Sequence, residues 1–375
     1  MDRIPVGVVG AGVMGSEIAQ VFAASGHPVV LVDVDPDGLA RGLEHIKAIC
    51  ARRVKRGAMD EATAAAIVDR VTGYGSAETL SSCQLIVEAV PEVMSIKEAV
   101  WGGIESNAPA GAILASNTSG LSISSLAAFT SRPGNVLGVH FFNPASVMKL
   151  VEVIRGERTD PTVLDRAVEI IRDLGKTPVR VEECPGFLVN RVLVRALAAA
   201  YRRADEIGAG TASADAVTAE GPAPMGPFAL GDLIGLDTTL HVQRDLFEAY
   251  GDRFEAGTSL AAAVERGDLG QKSGTGFVVG QPDAAPDDHG AEIAERYYMG
   301  AFDEACRCAE EQIAAIGDID LAMALGAGWS TGPLAWADAE GLESVRDRLT
   351  ALGGDFAPRP ILLDHIASGT PFIES

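Results

Sequence analysis

Hydrophobic positions along this chain follow two different rhythms. From Ile4 to about Glu183, short apolar β-rich runs alternate with longer stretches that can hold helices, the pattern of a parallel sheet covered on both faces. Strands are predicted over residues 6–9, 28–33, 85–90, 112–116, 136–140, 150–154 and 178–181. After Cys184-Pro-Gly186 the strand signals thin out and long amphipathic helical stretches take over, beginning with 187–207. The polar stretch 281–290, with Pro282, Pro286 and three aspartates, has little to bury and reads as a linker. The expected fold is therefore α/β, a Rossmann-type doubly wound sheet in 1–183, followed by two tandem all-α domains in 184–280 and 291–375.

The two helical stretches share a pattern. Gly226-Pro-Phe-Ala-Leu-Gly-Asp232 returns as Gly332-Pro-Leu-Ala-Trp-Ala-Asp338, and Gly235-Leu236 returns as Gly341-Leu342, always 106 residues later. Two alanine-rich helices can look alike by chance, but one fixed offset that preserves Gly, Pro, Ala, Asp, Gly and Leu argues for duplication.

Composition narrows the functional classes. A chain of 375 residues with 47% hydrophobic content fills more than one core. No apolar run approaches the roughly 18 to 20 residues of a membrane span, and the opening Met-Asp-Arg-Ile-Pro-Val runs into a strand without a signal peptide's apolar core. A cytoplasmic protein that binds no membrane is expected. The formal charge of −22 argues against nucleic acid, so an anionic ligand must be drawn in by a local basic cluster. The five cysteines form no C-x-x-C pair and lie beside no histidines at zinc-ligand spacing, so neither disulfides nor a metal is expected.

The first apolar strand leads into Gly10-Ala-Gly-Val-Met-Gly15, and a helical run follows. In that context each glycine has its own use. Gly10 permits a tight turn, Gly12 admits a pyrophosphate to the backbone, and Gly15 lets helix and strand pack closely, with phosphates at the helix N-terminus. Val13 and Met14 complete the cofactor loop. Asp33, at the end of the second strand and 18 residues beyond Gly15, is placed to bond the adenosine ribose hydroxyls and repel a 2′-phosphate. With no arginine beside it in sequence, NAD is favoured over NADP.

Of six histidines, only His140 ends a predicted strand, in Gly138-Val-His-Phe-Phe-Asn-Pro144. That puts it at the carboxyl edge of the sheet, where open α/β folds hold ligands. Glu152 lies in an apolar strand that would not bury a carboxylate unpaired, and an imidazole is a suitable partner. Such a pair suits a base that takes a proton from an alcohol. On spacing alone, a core histidine and an unrelated glutamate read equally well.

Residues 4–280 resemble the 3-hydroxyacyl-CoA dehydrogenase family in several separate segments. These are Val9-Gly-Ala-Gly-Val-Met-Gly15; Ile86-Val-Glu-Ala-Val-Pro-Glu92 with Lys97; Ala115-Ser-Asn-Thr-Ser-Gly120; Gly138-Val-His-Phe-Phe-Asn-Pro144; Met148-Lys-Leu-Val-Glu-Val153; Pro185-Gly-Phe-Leu-Val-Asn-Arg191; and Met225-Gly-Pro-Phe228. The resemblance implies an NAD-dependent oxidation of an (S)-3-hydroxyacyl-CoA, with His140 as base, Glu152 orienting it, and Ser119 and Asn190 as polar contacts to the substrate. It also implies that Glu92, Lys97, Asn117 and Asn143 lie on the cofactor. The compact run Arg52-Arg53-Val-Lys55-Arg56 falls where the family contacts coenzyme A, although a solvated helix face explains any one of the four equally well.

Two departures stand out. Simple family members carry one helical domain and pair it across a dimer; this chain carries two, which suggests a monomer with an internal pseudo-dimer, or a homodimer. The second copy lacks the polar features of the first: Arg296 stands 106 residues beyond Asn190, and nothing matches Lys272-Ser-Gly-Thr-Gly-Phe277. It reads as structural. Rival readings are a related dehydrogenase for a sugar acid, carnitine or a carrier-protein-bound hydroxyacyl thioester, and a catalytically silent NAD-binding protein. Retention of His140, Glu152, Ser119 and Asn190 argues against the silent protein.

Overall fold

The computed structural model describes residues 3–209, 211–281 and 284–374, and the chain divides into two compact units, 1–183 and 184–375. The first unit runs β1 (Val6–Val9), α1 (Val13–Ala24), β2 (Val29–Val32), α2 (Pro36–Lys55), α3 (Glu61–Asp69), β3 (Val71–Tyr74), β4 (Leu85–Glu88), α4 (Met94–Asn107), β5 (Ile113–Ser116), α5 (Ile123–Ala127), β6 (Val136–Phe141), β7 (Leu150–Arg155), α6 (Pro161–Asp173) and β8 (Thr177–Glu182). Its eight strands form one sheet in the order β3-β2-β1-β4-β5-β6-β7-β8. β1, β4, β5 and β6 are buried along their whole length, as continuous Val, Ile and Leu runs in a sheet covered on both faces must be. The strand order reverses between β1 and β4, which opens a crevice at the carboxyl ends of these two strands. Every neighbouring pair is parallel except β6 and β7, which run antiparallel and set His140 directly opposite Glu152.

β3 is the strand that the pattern did not announce. It is four residues long at the edge of the sheet, alternates half-buried with exposed positions, and contains Gly73. An edge strand of this kind buries too little to leave an apolar run. Gly73 is there for space, since a Cβ would stand 2.9 Å from the Leu43 side chain.

The second unit is helical: α7 (Val189–Ile207), α8 (Thr211–Thr218), α9 (Pro227–Ile234), α10 (Leu236–Tyr250), α11 (Thr258–Arg266), α12 (Asp288–Glu310), α13 (Ile316–Gly326), α14 (Pro333–Glu340), α15 (Leu342–Leu352) and α16 (Pro360–Ser368). Both helical stretches belong to one compact unit, because their longest helices, α7 and α12, pack against each other along most of their length. The helix α12 starts three residues before the expected start of the second helical domain at 291: Asp287 caps it by accepting from Gly290 N at 2.7 Å. Gly290 is buried, and a Cβ there would meet the Ser213 backbone at 2.5 Å. Pro282 and Asp283 of the expected linker lie outside the described residues.

The two copies repeat each other in hydrogen bonds as well as in sequence. Asp215 accepts from Phe228 N and Ala229 N at 2.9 and 2.7 Å, capping α9. Asp320 accepts from Leu334 N and Ala335 N at 2.8 and 2.7 Å, capping α14. Gly226 and Gly332 make room for these caps: a Cβ would stand 2.2 Å from the Asp215 Cα and 2.5 Å from the Asp320 Cα. Asp232 binds Phe277 N, Val278 N and Val279 N, and Asp338 binds Phe372 N and Ile373 N. That last pair corrects the sequence comparison. Gly274-Thr-Gly-Phe277 does have a counterpart, Gly369-Thr-Pro-Phe372, but 95 residues on rather than 106, because α15 is shorter than α10 and Gly369 directly follows α16 whereas Gly274 stands well beyond the end of α11. No helix among the described residues is long and apolar enough to cross a membrane.

Candidate active site

The loop between β1 and α1 has the geometry that its glycines predict. Gly10 takes φ +102°, and a Cβ there would stand 2.6 Å from the Ala89 carbonyl; one on Gly15 would meet the Gly10 carbonyl at 1.9 Å. At Gly12 a Cβ would meet nothing within 4 Å, so that face of the loop is open. Gly12 caps α1 without a side-chain acceptor, and the first turn holds no acidic residue, which leaves N–H groups for an anion. Val13 and Met14 line the same cavity of about 790 Å³ with Gly10, Gly12 and Asp33. Asp33 is held in place, accepting from Ala11 N at 2.8 Å and Asp35 N at 2.9 Å; the remaining lone pairs suit ribose hydroxyls. An open glycine, free helix-end donors and a fixed carboxylate together fit NAD. Sequence proximity missed two further lining residues, Arg41 and His45 on α2. Arg41 pairs with Asp35 at 3.3 Å, and His45 Nε2 lies 3.5 Å from Glu17 Oε1.

The antiparallel pairing of β6 with β7 creates the second part of the site. Residues directly opposite across such a ladder project to the same face. His140 and Glu152 are opposite, and His140 Nδ1 lies 2.6 Å from Glu152 Oε2. The carboxylate is fully buried and the imidazole almost so. Phe142 lies against the ring, centroids 4.5 Å apart. A proton on Nδ1 satisfies the buried carboxylate, which makes Nε2 the basic nitrogen. The loop after β6, which carries exposed Asn143, is tied back to α1, where Glu17 Oε2 accepts from Ser146 N at 3.2 Å.

A buried ion cluster joins the ends of β4 and β5. Lys97 is 1% exposed and donates to Glu88 Oε1 at 2.8 Å, with Glu92 Oε2 at 3.1 Å. Glu88 also accepts from Val90 N and Ser116 Oγ at 2.8 and 2.7 Å. Glu92 in turn accepts from Thr118 Oγ1, from Ser119 N at 2.8 Å and from Ser119 Oγ at 3.3 Å. Burial alone would raise the Glu92 carboxyl, but the Lys97 ammonium and the bonds from Thr118 and Ser119 outweigh it and hold it below the ordinary glutamate range. Lys97 is thus enclosed among carboxylates, while Glu92 reaches the surface beside Ser119. Asn117 stitches this loop to the histidine strand, its Oδ1 accepting from Phe141 N at 2.9 Å. Glu88, Ser116 and Thr118 fall within segments that carry the resemblance, yet nothing in Leu85-Ile-Val-Glu88 marks the glutamate as more than a strand residue.

Arg52, Arg53 and Lys55 lie in the last turn of α2 and Arg56 caps it, where cations complement the helix dipole. The ion pairs of α2 among the described residues engage Arg41, His45 and Lys47 and none of these four. Asn190 is half-buried in the first turn of α7, in the helical unit. No cluster of three or more His, Cys, Asp or Glu residues that could hold a metal occurs among the described residues.

Comparison with known proteins agrees with this fold. The chain matches the NAD binding domain of 3-hydroxyacyl-CoA dehydrogenase over residues 5–184, and that protein's C-terminal domain over 186–280 and 293–368. It is similar to the fatty acid oxidation complex subunit alpha of Acinetobacter baumannii (strain SDF), 33% identical over 397 residues that cover 97% of this chain and 55% of the relative. The counterpart from Pseudomonas aeruginosa (strain LESB58) is 32% identical with the same coverage. The chain thus spans about half the length of these curated relatives. Among solved structures, a 3-hydroxybutyryl-CoA dehydrogenase from Escherichia coli K12 superposes with TM-score 0.92 at 27% identity, covering 98% of this chain and 100% of that one. The (S)-3-hydroxybutyryl-CoA dehydrogenase of Ralstonia eutropha gives TM-score 0.71 at 36% identity, covering 73% of this chain and 98% of that one.

Proposed function

We infer, since the chain belongs to the 3-hydroxyacyl-CoA dehydrogenase family, that it oxidises the 3-hydroxyl of a hydroxyacyl-CoA thioester to the 3-oxo compound, in reversible fashion. The observation that carries the reading is the His140 and Glu152 pair, a basic nitrogen at the sheet's carboxyl edge with a buried carboxylate behind it. His140 Nε2 takes the hydroxyl proton; Glu152 holds the ring and steadies the imidazolium that results. NAD, when bound, supplies the hydride acceptor for C3. Ser119 and Asn190 bind the substrate oxygens, and Glu92, Asn117 and Asn143 border the nicotinamide end of the cofactor site. Lys97 contributes by holding Glu92. The four cations at the end of α2, free of carboxylate partners among the described residues in a chain of net charge −22, suit the phosphates of coenzyme A.

The test is turnover with 3-hydroxyacyl-CoAs of short and long chain, with carrier-protein thioesters alongside. The wild type should form NADH from the coenzyme A thioesters. His140→Gln should lower kcat by roughly 10²- to 10⁴-fold with NADH binding nearly unchanged, and Glu152→Gln should also slow turnover. Wild-type protein that forms no NADH from any of these thioesters sinks the reading, as do folded variants that turn over within about twofold of it.

A further inference from the structure

The first turn of α7, which carries Asn190, is gripped by the second helical copy. Leu188 at the N-cap of α7 offers no side-chain acceptor, and the chain reaches it through Gly186 at φ +76° and Phe187 at φ +51°. A phenylalanine in the left-handed region is strained and persists only where its surroundings hold it. Arg191 supplies much of that hold. It is fully buried, its backbone N–H reaches the Gly186 carbonyl at 3.2 Å, and its guanidinium carries a two-point pair with Glu311, Nη1 to Oε2 at 2.7 Å and Nη2 to Oε1 at 2.9 Å. Nε donates to Glu304 at 2.7 Å. Both carboxylates belong to the second copy, Glu304 within α12 and Glu311 at its C-cap. The Tyr250 ring lies between Arg191 and Arg253, 4.3 and 4.8 Å from the two guanidinium carbons, and its hydroxyl donates to the Pro185 carbonyl at 3.2 Å. Arg253 donates to Glu304 at 2.8 Å.

We propose that Glu311 of the second copy is a positioning residue for the thioester site: by clamping Arg191 at two points it fixes the first turn of α7 and, with it, Asn190. The inference rests on the proposed role of Asn190 at the substrate. It gives the duplicated domain a part in the reaction. A planar guanidinium held at both ends cannot swivel, and a side chain on the adjoining residue inherits that constraint. Misplacing a substrate contact by about an ångström can cost up to about 10²-fold in rate.

Glu311 is the member to change, because its side chain is 47% exposed and Glu304 continues to neutralise Arg191 when it is gone. Glu311→Ala should raise KM for 3-hydroxybutyryl-CoA about tenfold and lower kcat, while leaving the Kd for NADH unchanged. Glu311→Gln, which keeps one acceptor, should restore part of the loss. Glu295→Ala serves as control, since it removes a two-point pair with Arg348 within the second copy and should leave both kinetic constants alone. Asn190→Ala should be impaired by itself, and the Asn190→Ala/Glu311→Ala double variant should be no worse than Asn190→Ala. If Asn190→Ala is impaired and Glu311→Ala is not, the positioning role is wrong and the role of Asn190 stands. If Asn190→Ala has wild-type kinetics, both fall. Additive losses, or losses equal to those of Glu295→Ala, also overturn the proposal by showing general loosening of the fold.

Discussion

The two helical copies use the same carboxylate caps in different company. In each, one aspartate caps the short Gly-Pro helix (Asp215, Asp320) and a second gathers the backbone of a Gly-Thr-x-Phe turn (Asp232, Asp338). Only the first carries Asn190 at the start of its long helix and a Lys272 paired with Asp237. What recurs in both copies is what the fold requires; what occurs in one is free to differ. Glu311 crosses that division, a second-copy residue bound to a first-copy arginine.

Removing the second copy should have the largest effect. Truncation before Asp288 strips α12 from α7 and leaves Arg191 and Arg195, both fully buried in the intact chain, without the carboxylates they face. Light scattering should find an insoluble or newly dimeric protein; a stable, fully active monomer would break the comparison. Next come the turn aspartates. Asp232 is buried and binds three N–H groups, whereas Asp338 is half-buried and binds two. Asp232→Ala should cost about 4 kcal/mol and Asp338→Ala about 3, read from denaturant midpoints. The reverse order would mean that the second copy bears more of the load.

The smallest effect is one of pH. Burial pushes the Asp215 and Asp320 carboxyls up to about 6 against the N–H bonds that favour their charged forms. A carboxyl with a raised folded-state value binds its proton more tightly in the native chain. The stability it contributes is complete below pH 4 and is lost as pH rises through about 6. Asp215→Asn and Asp320→Asn should each flatten the stability profile between pH 4 and 7 by the same amount, at most about 3 kcal/mol. Unequal flattening would show that the two sites differ in more than sequence.

Much of this is legible in the residues alone. Seven strands stand out as apolar runs, and the Gly10, Gly12 and Gly15 loop with Asp33 is local enough to be read from spacing. Spacing leaves the link between His140 and Glu152 open, since it depends on β7 turning back along β6, and nothing in either strand's composition states its direction. Glu88 was hidden for a similar reason: its partners Lys97 and Ser116 come from a helix and a neighbouring strand. Arg41 lies eight residues beyond Asp33 and reaches the same cavity because α2 folds back over the loop. Asp215 and Asp320 are 105 residues apart rather than 106, so a search at one fixed offset passes over them, although their bonds are the same.

The contact between α7 and α12 is made within one polypeptide, and mass action treats it accordingly. Two separate chains meeting through such helices come apart on dilution, so their folded fraction falls with concentration. Here the chain between Ile207 and Asp288 tethers the helices, and the local concentration of one around the other is of the order of millimolar however dilute the solution. The grip on Arg191 is therefore as complete in a cell that makes a few copies of the protein as in one that makes thousands.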